Sequence, residues 1–77
     1  MQTSSAIVWS QNNCQFCGMA KGLLTSKGYE VEERKIGDQW TKQDLLNAVP
    51  SARSVPQIFI NNEFVGGYPE LVKFLQK

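Results

Sequence analysis

A cysteine pair spaced C-x-x-C lies in Asn12-Asn13-Cys14-Gln15-Phe16-Cys17, where an apolar run ending at Ser10 gives way to a helical pattern from Gly18 to Lys27. That placement narrows the fold more than any other feature. Cysteines at this spacing on a helix start share one face within a single turn, so a disulfide forms or breaks with little backbone movement. Cys14, at the helix start, points at unpaired backbone N–H groups and the positive end of the helix dipole, which favour a thiolate. Its pKa is expected below the free thiol value of about 8.5. Cys17, one turn in among more apolar neighbours, is placed to attack a mixed disulfide formed on Cys14. The pair therefore reads as nucleophile and resolving thiol.

Three plainer readings compete. A structural staple across so short a loop restrains little of the unfolded chain and adds little stability. A closed zinc site needs four N or S ligands, and the sequence has no His and no third Cys; a dimer sharing two pairs stays open. Inert cysteines pack as small hydrophobes, but a helix start argues against burial of Cys14. A C-x-x-C motif that follows a strand and opens a helix favours redox chemistry.

At 77 residues there is room for one domain, 1–77, with one core. A net charge of +1 gives no reason to expect nucleic acid or an acidic membrane as partner. Met1 to Ser5 lacks the basic and apolar parts of a signal peptide, and no run approaches membrane-spanning length. A monomeric cytoplasmic protein is the expectation, and in a reducing compartment a close thiol pair is more often catalytic than structural.

Ala6-Ile7-Val8-Trp9 reads as a central strand buried on both faces. Phe16, Ala20, Leu23 and Leu24 recur at helical spacing over Gln15 to Lys27, and Gly28 follows as a C-cap. Tyr29 to Ile36 alternates and carries the charge density of a protected edge strand, a run that reads as solvated surface. Gly37-Asp38-Gln39-Trp40 is a turn, and Trp40 either covers the core edge or lines the cleft, packing being the expectation because large aromatics are mostly buried. Thr41 caps a short helix through Leu45, Leu46 and Val49 that Pro50 stops. Gln57-Ile58-Phe59-Ile60 and Glu63-Phe64-Val65 flank Asn61-Asn62, which tolerate the positive φ of a tight hairpin. Pro69 suits the first turn of a last helix striped by Leu71, Val72 and Leu75. The order is β-α-β-α-β-β-α, with the first two strands parallel and the last two antiparallel.

Two further stretches bear on the thiols. Ser54-Val55-Pro56 either starts the third strand or forms a tight, cis turn that exposes Val55 backbone groups to an extended peptide. Gly66-Gly67 either forms a plain flexible turn or leaves N–H groups free for a carboxylate.

Together, Trp9 through Cys17, Arg53 through Ile60 and Val65-Gly66-Gly67-Tyr68 resemble a short dithiol glutaredoxin of bacterial or phage type, over nearly the whole chain. The resemblance implies an α/β thioredoxin-like fold with a four-stranded mixed sheet flanked by helices, and a cis proline at Pro56 facing the dithiol. It implies a glutathione-dependent thiol-disulfide oxidoreductase that reduces protein disulfides and glutathione mixed disulfides, ribonucleotide reductase being one acceptor. Glutathione would be a co-substrate, with no tightly bound cofactor and no metal. Carried over, Cys14 and Cys17 are catalytic. Gln11, Phe16, Arg53, Ser54, Val55, Pro56, Gly67 and Tyr68 would line the glutathione site, with Val55 on its cysteine unit, Gly67 and Tyr68 at its γ-glutamyl end, and Arg53 either near its glycine carboxylate or simply on the surface. The chain departs from the family pattern at Gln15-Phe16, where Pro-Tyr is common, at Gln11, where lysine is usual, and at Pro69, where a residue with a free N–H is usual. Two alternatives follow: a small redoxin reduced by thioredoxin reductase, or a module in which Cys14 of two subunits and two glutathiones hold a [2Fe–2S] unit.

Overall fold

Alternation along the first strand decides the layers. In the computed structural model, which describes residues 4–76, β1 (Ser5–Ser10) sends Ala6 and Val8 to one face and Ile7 and Trp9 to the other, as a period of two requires. It needs cover on both sides. β1 pairs in parallel with β2 (Glu30–Lys35) and antiparallel with β3 (Gln57–Ile60), which pairs with β4 (Glu63–Gly66). The sheet order is β2-β1-β3-β4, so the first strand is central and the charged β2 is an edge, as its composition implied.

Helices α1 (Gln15–Ser26) and α3 (Tyr68–Leu75) cover the first face. Ala20, Leu24 and Leu71 close against Ala6, Val8, Ile58 and Ile60. Leu24, Ile58, Leu71 and Val8 are fully enclosed, and each such aliphatic side chain contributes roughly 1.5–3 kcal/mol by leaving water. The other face carries α2 (Lys42–Ala48), whose Leu45 joins Val49 and Trp9. Thr41 Oγ1 accepts the Asp44 N–H and Asp44 Oδ2 accepts the Thr41 N–H, a full capping box that holds this short helix.

Trp40 packs as expected: its ring meets Trp9 edge-on at 5.3 Å. Arg34 adds what the sequence did not suggest, lying 4.5 Å from the Trp40 ring centre and 5.3 Å from that of Trp9. The Trp9 Nε1 finds no acceptor among the described residues, so packing and the cation–π contact hold the indole. Element ends shift by a residue. α1 stops at Ser26, Lys27 is its C-cap, and Gly28 follows with φ 87°, the left-handed position where glycine carries no Cβ penalty. Asn61 and Asn62 take φ 51° and 69°, the two-residue hairpin expected of them. No helix among the described residues is long and apolar enough to cross a membrane.

The charge run on β2 is more than solvated surface. Ser10, fully buried at the end of β1, donates its hydroxyl to Glu33 Oε2 at 2.6 Å, and Lys21 of α1 pairs with the same oxygen at 2.8 Å. A buried hydroxyl needs a partner, and this one ties β1, β2 and α1 together. The Lys21 hydrogen bond, aided by that of Ser10, holds the Glu33 carboxyl below the usual glutamate range. A carboxyl depressed by folding contributes stability that is present above its unfolded value, about 4.3, and is lost as pH falls through the lower folded value. Urea titrations are therefore expected to show the wild type losing more stability from pH 6 to pH 3 than Glu33→Gln. Parallel losses would show that this carboxylate does not contribute.

Candidate active site

The active loop is aimed by local backbone chemistry. Asn13 sits at φ 60°, a left-handed conformation that asparagine tolerates better than most residues. It turns the chain leaving β1 into α1. Cys14 is then the N-cap of α1, in extended conformation at φ −113°, and its Sγ accepts the Cys17 N–H at 3.2 Å. Sulfur takes the place that a Ser or Asp oxygen commonly holds at a helix start. Cys14 and Cys17 are joined as a disulfide, with Cα atoms 5.3 Å apart. Their exposures differ: Cys14 is half-buried, while Cys17 is 2% exposed in the core. Of the two cysteines, the N-cap one is the more exposed.

Beside it lies the turn before β3. The Val55–Pro56 peptide is cis, as the resemblance implies, and the Val55 carbonyl oxygen lies 3.8 Å from Cys14 Sγ. The Val55 N–H and C=O join no backbone hydrogen bond among the described residues, so both can pair with an extended chain laid next to the sulfur.

Two cavities meet at Ser54 and Val55. The larger, about 520 Å³, takes in Phe16, Pro56, Gly67 and Tyr68. The smaller, about 290 Å³, takes in Gln11 and Arg53. Each of the eight residues assigned to ligand binding by sequence lines one or both of these cavities. Phe16, 55% exposed, stacks at 5.5 Å on Tyr68 and forms an aromatic wall of the larger cavity. Among the described residues no group of His, Cys, Asp and Glu could hold a metal ion.

Of the two readings open at Gly66-Gly67, the one with N–H groups free for a carboxylate fails at Gly67. Glu70 Oε1 accepts the Gly67 N–H at 2.9 Å, so that amide is already bound to a carboxylate from α3. The sequence carried the signal, because Gly67-Tyr68-Pro69-Glu70 has the acid three residues after a helix cap. Also missed were Lys42 and Leu45 in the smaller cavity and Phe64 and Glu70 in the larger. Asn12-Asn13 carries the same turn signal as Asn61-Asn62, and Asn13, Asn61 and Asn62 all stand at positive φ. Gly66 stands at φ 128°, and a Cβ there would lie 2.8 Å from Glu70 Cγ. Gly66→Ala is expected to lose about 1–3 kcal/mol in chemical denaturation. Adding Glu70→Ala should recover only part, because the backbone conformation still disfavours a Cβ; unchanged stability in the single variant would refute this account of the turn.

The glutaredoxin family model matches residues 6–65. Mouse mitochondrial glutaredoxin-2 is 31% identical over 72 residues, which make up 87% of this chain but only 45% of that protein, so the chain spans less than half of this relative. Glutaredoxin 3 of Escherichia coli K12 is 33% identical over 64 residues, covering 83% of this chain and 77% of that one. Among solved structures, a buckwheat glutaredoxin–glutathione complex superposes with a TM-score of 0.70 at 25% identity, over 95% of this chain and 69% of that chain.

Proposed function

The chain belongs to the glutaredoxin family, and from that premise we propose that it is a glutathione-dependent thiol-disulfide oxidoreductase working through Cys14 and Cys17. One observation carries the reading: an accessible N-cap sulfur that receives a backbone N–H at 3.2 Å, with its redox partner one turn away. A helix N-terminus stabilises negative charge at its cap, so the reduced Cys14 is held as the reactive thiolate.

In the forward sense, the Cys14 thiolate attacks one sulfur of a substrate disulfide. A Cys14–substrate disulfide forms, and the other substrate sulfur leaves as a thiolate that takes a proton from solvent. Cys17 gives up its proton and attacks Cys14 Sγ. The substrate's second thiol departs, and the Cys14–Cys17 disulfide that forms carries the two electrons' worth of oxidation. Two glutathiones restore the dithiol: the first opens the disulfide as a mixed disulfide on Cys14, the second releases glutathione disulfide. Family members have potentials of about −200 to −230 mV, close to a cytosolic glutathione pool at roughly −220 to −260 mV, so modest concentration ratios set the direction.

Glutathione is supported as co-substrate by the family and by the buckwheat complex. In this reading its cysteine unit pairs with the Val55 backbone, packed against cis Pro56, with Ser54 beside it. Phe16 and Tyr68 wall the γ-glutamyl half toward Gly67. Gln11 and Arg53 lie at the glycine carboxylate. The resemblance further supports a monomeric cytoplasmic protein of one domain, with ribonucleotide reductase among its disulfide substrates. The Glu70 carboxylate on Gly67 N–H, with Pro69 lacking an N–H, favours a second reading in which thioredoxin reductase supplies the electrons.

The test is turnover of a glutathionylated peptide with glutathione and glutathione reductase, run in parallel with thioredoxin reductase. Cys14→Ser is expected to lose activity by at least about 10³-fold, as removal of a covalent nucleophile does. Cys17→Ser should retain removal of glutathione, because glutathione itself can resolve the mixed disulfide. Undiminished turnover by Cys14→Ser would overturn the mechanism; turnover with thioredoxin reductase alone would transfer the reductant to the second reading.

A further inference from the structure

The two arms of the cleft carry opposite charge. On the α2 side, Lys42 and Arg53 line the smaller cavity with Gln11 and no acidic side chain. Both are exposed, and neither forms an ion pair among the described residues. On the α3 side, Glu70 is the one charged residue lining the larger cavity. Its Oε1 also occupies the Gly67 N–H at 2.9 Å, so this arm presents negative charge where an open amide would have welcomed a carboxylate. Val55 and Ser54 line both cavities, and the Val55 carbonyl oxygen lies 3.8 Å from Cys14 Sγ.

We propose that this cleft reads charge on both sides of the reacting cysteine in a polypeptide substrate, taking an acidic side chain in the α2 arm and a basic one in the α3 arm. The inference rests on the oxidoreductase reading above and deepens it by naming a substrate class. A substrate strand paired with the Val55 backbone advances about 3.3 Å per residue and turns alternate side chains to the same face. With its cysteine directed at Cys14, the residues two before and two after also face the protein, one over each arm. The contacts are exposed, so each is worth about 1.4- to 5-fold in rate, and salt screens them.

The experiment uses three short peptides with a central cysteine in mixed disulfide with 2-mercaptoethanol, an uncharged leaving thiol. One carries Asp two residues before the cysteine and Lys two after, one carries the reverse, and one carries Ala at both. Each is reduced by the wild-type dithiol at low and high salt, with hydroxyethyl disulfide as an uncharged control. One charge order, making both contacts, is expected to exceed the Ala peptide by about 2- to 25-fold and the other to fall below it, with both differences shrinking at high salt; the favoured order reports strand direction. In the variant Lys42→Glu, Arg53→Glu, Glu70→Lys the ratio between the two charged peptides inverts. Equal rates for both orders in wild type at low salt, with the control still reduced, overturn the proposal while leaving the oxidoreductase reading intact. An uninverted ratio in a folded variant overturns the assignment to these three residues. Failure to reduce hydroxyethyl disulfide overturns the oxidoreductase reading and this inference with it.

Discussion

A sulfur at a helix N-cap faces amides that no backbone carbonyl can satisfy, and the rest of this small structure serves to present that sulfur. The Cys17 N–H points at Cys14 Sγ at 3.2 Å, and a donor aimed at a sulfur favours its anion over its thiol. The geometry depends on α1 beginning at Gln15, which in turn depends on Asn13 accepting φ 60° at the end of β1. The strand is held centrally by pairing on both edges, and the helix is held to it by Ala20 and Leu24. Displacing either would move the amide away from the sulfur.

The same arrangement separates the two cysteines by environment. Cys14 stands half in solvent beside Val55, while Cys17 is enclosed by the core. Two thiols one turn apart can therefore take different parts in an exchange: one meets the outside disulfide, the other acts only after a mixed disulfide has formed. The Ser10–Glu33–Lys21 cluster bears on this from behind. It fastens the end of β1 to α1 just before the active turn, and it does so with a carboxylate whose charge folding favours.

Much of this was legible because it is local. The strand Ala6–Trp9, the C-x-x-C turn, the Asn61-Asn62 hairpin and the Thr41 cap each follow from a few neighbouring residues, and the element order implies a parallel first pair and an antiparallel last pair of strands. Residues of the three stretches around Cys14, Val55 and Gly67 line two cavities that share Ser54 and Val55. What was missed is long-range or reciprocal. Glu33 looked like one more charge on an edge strand, because nothing near it in sequence reveals that Ser10 would be buried beneath it. Lys42 opens α2, and only the packing of that helix brings it into the cavity with Arg53. Glu70 stands at the capping-acid spacing from Gly67, and that reciprocal contact decides between the two readings open at Gly66-Gly67 by occupying the Gly67 N–H.

The central claim is that the helix start holds Cys14 as an anion, and the rate of alkylation of the reduced protein as a function of pH addresses it most directly. With intact mass used to assign the adduct to Cys14, the rate should reach half its maximum at a pH well below the free-thiol value of about 8.5. A profile that rises only around that value would mean that the amides facing the sulfur do not stabilise its charge.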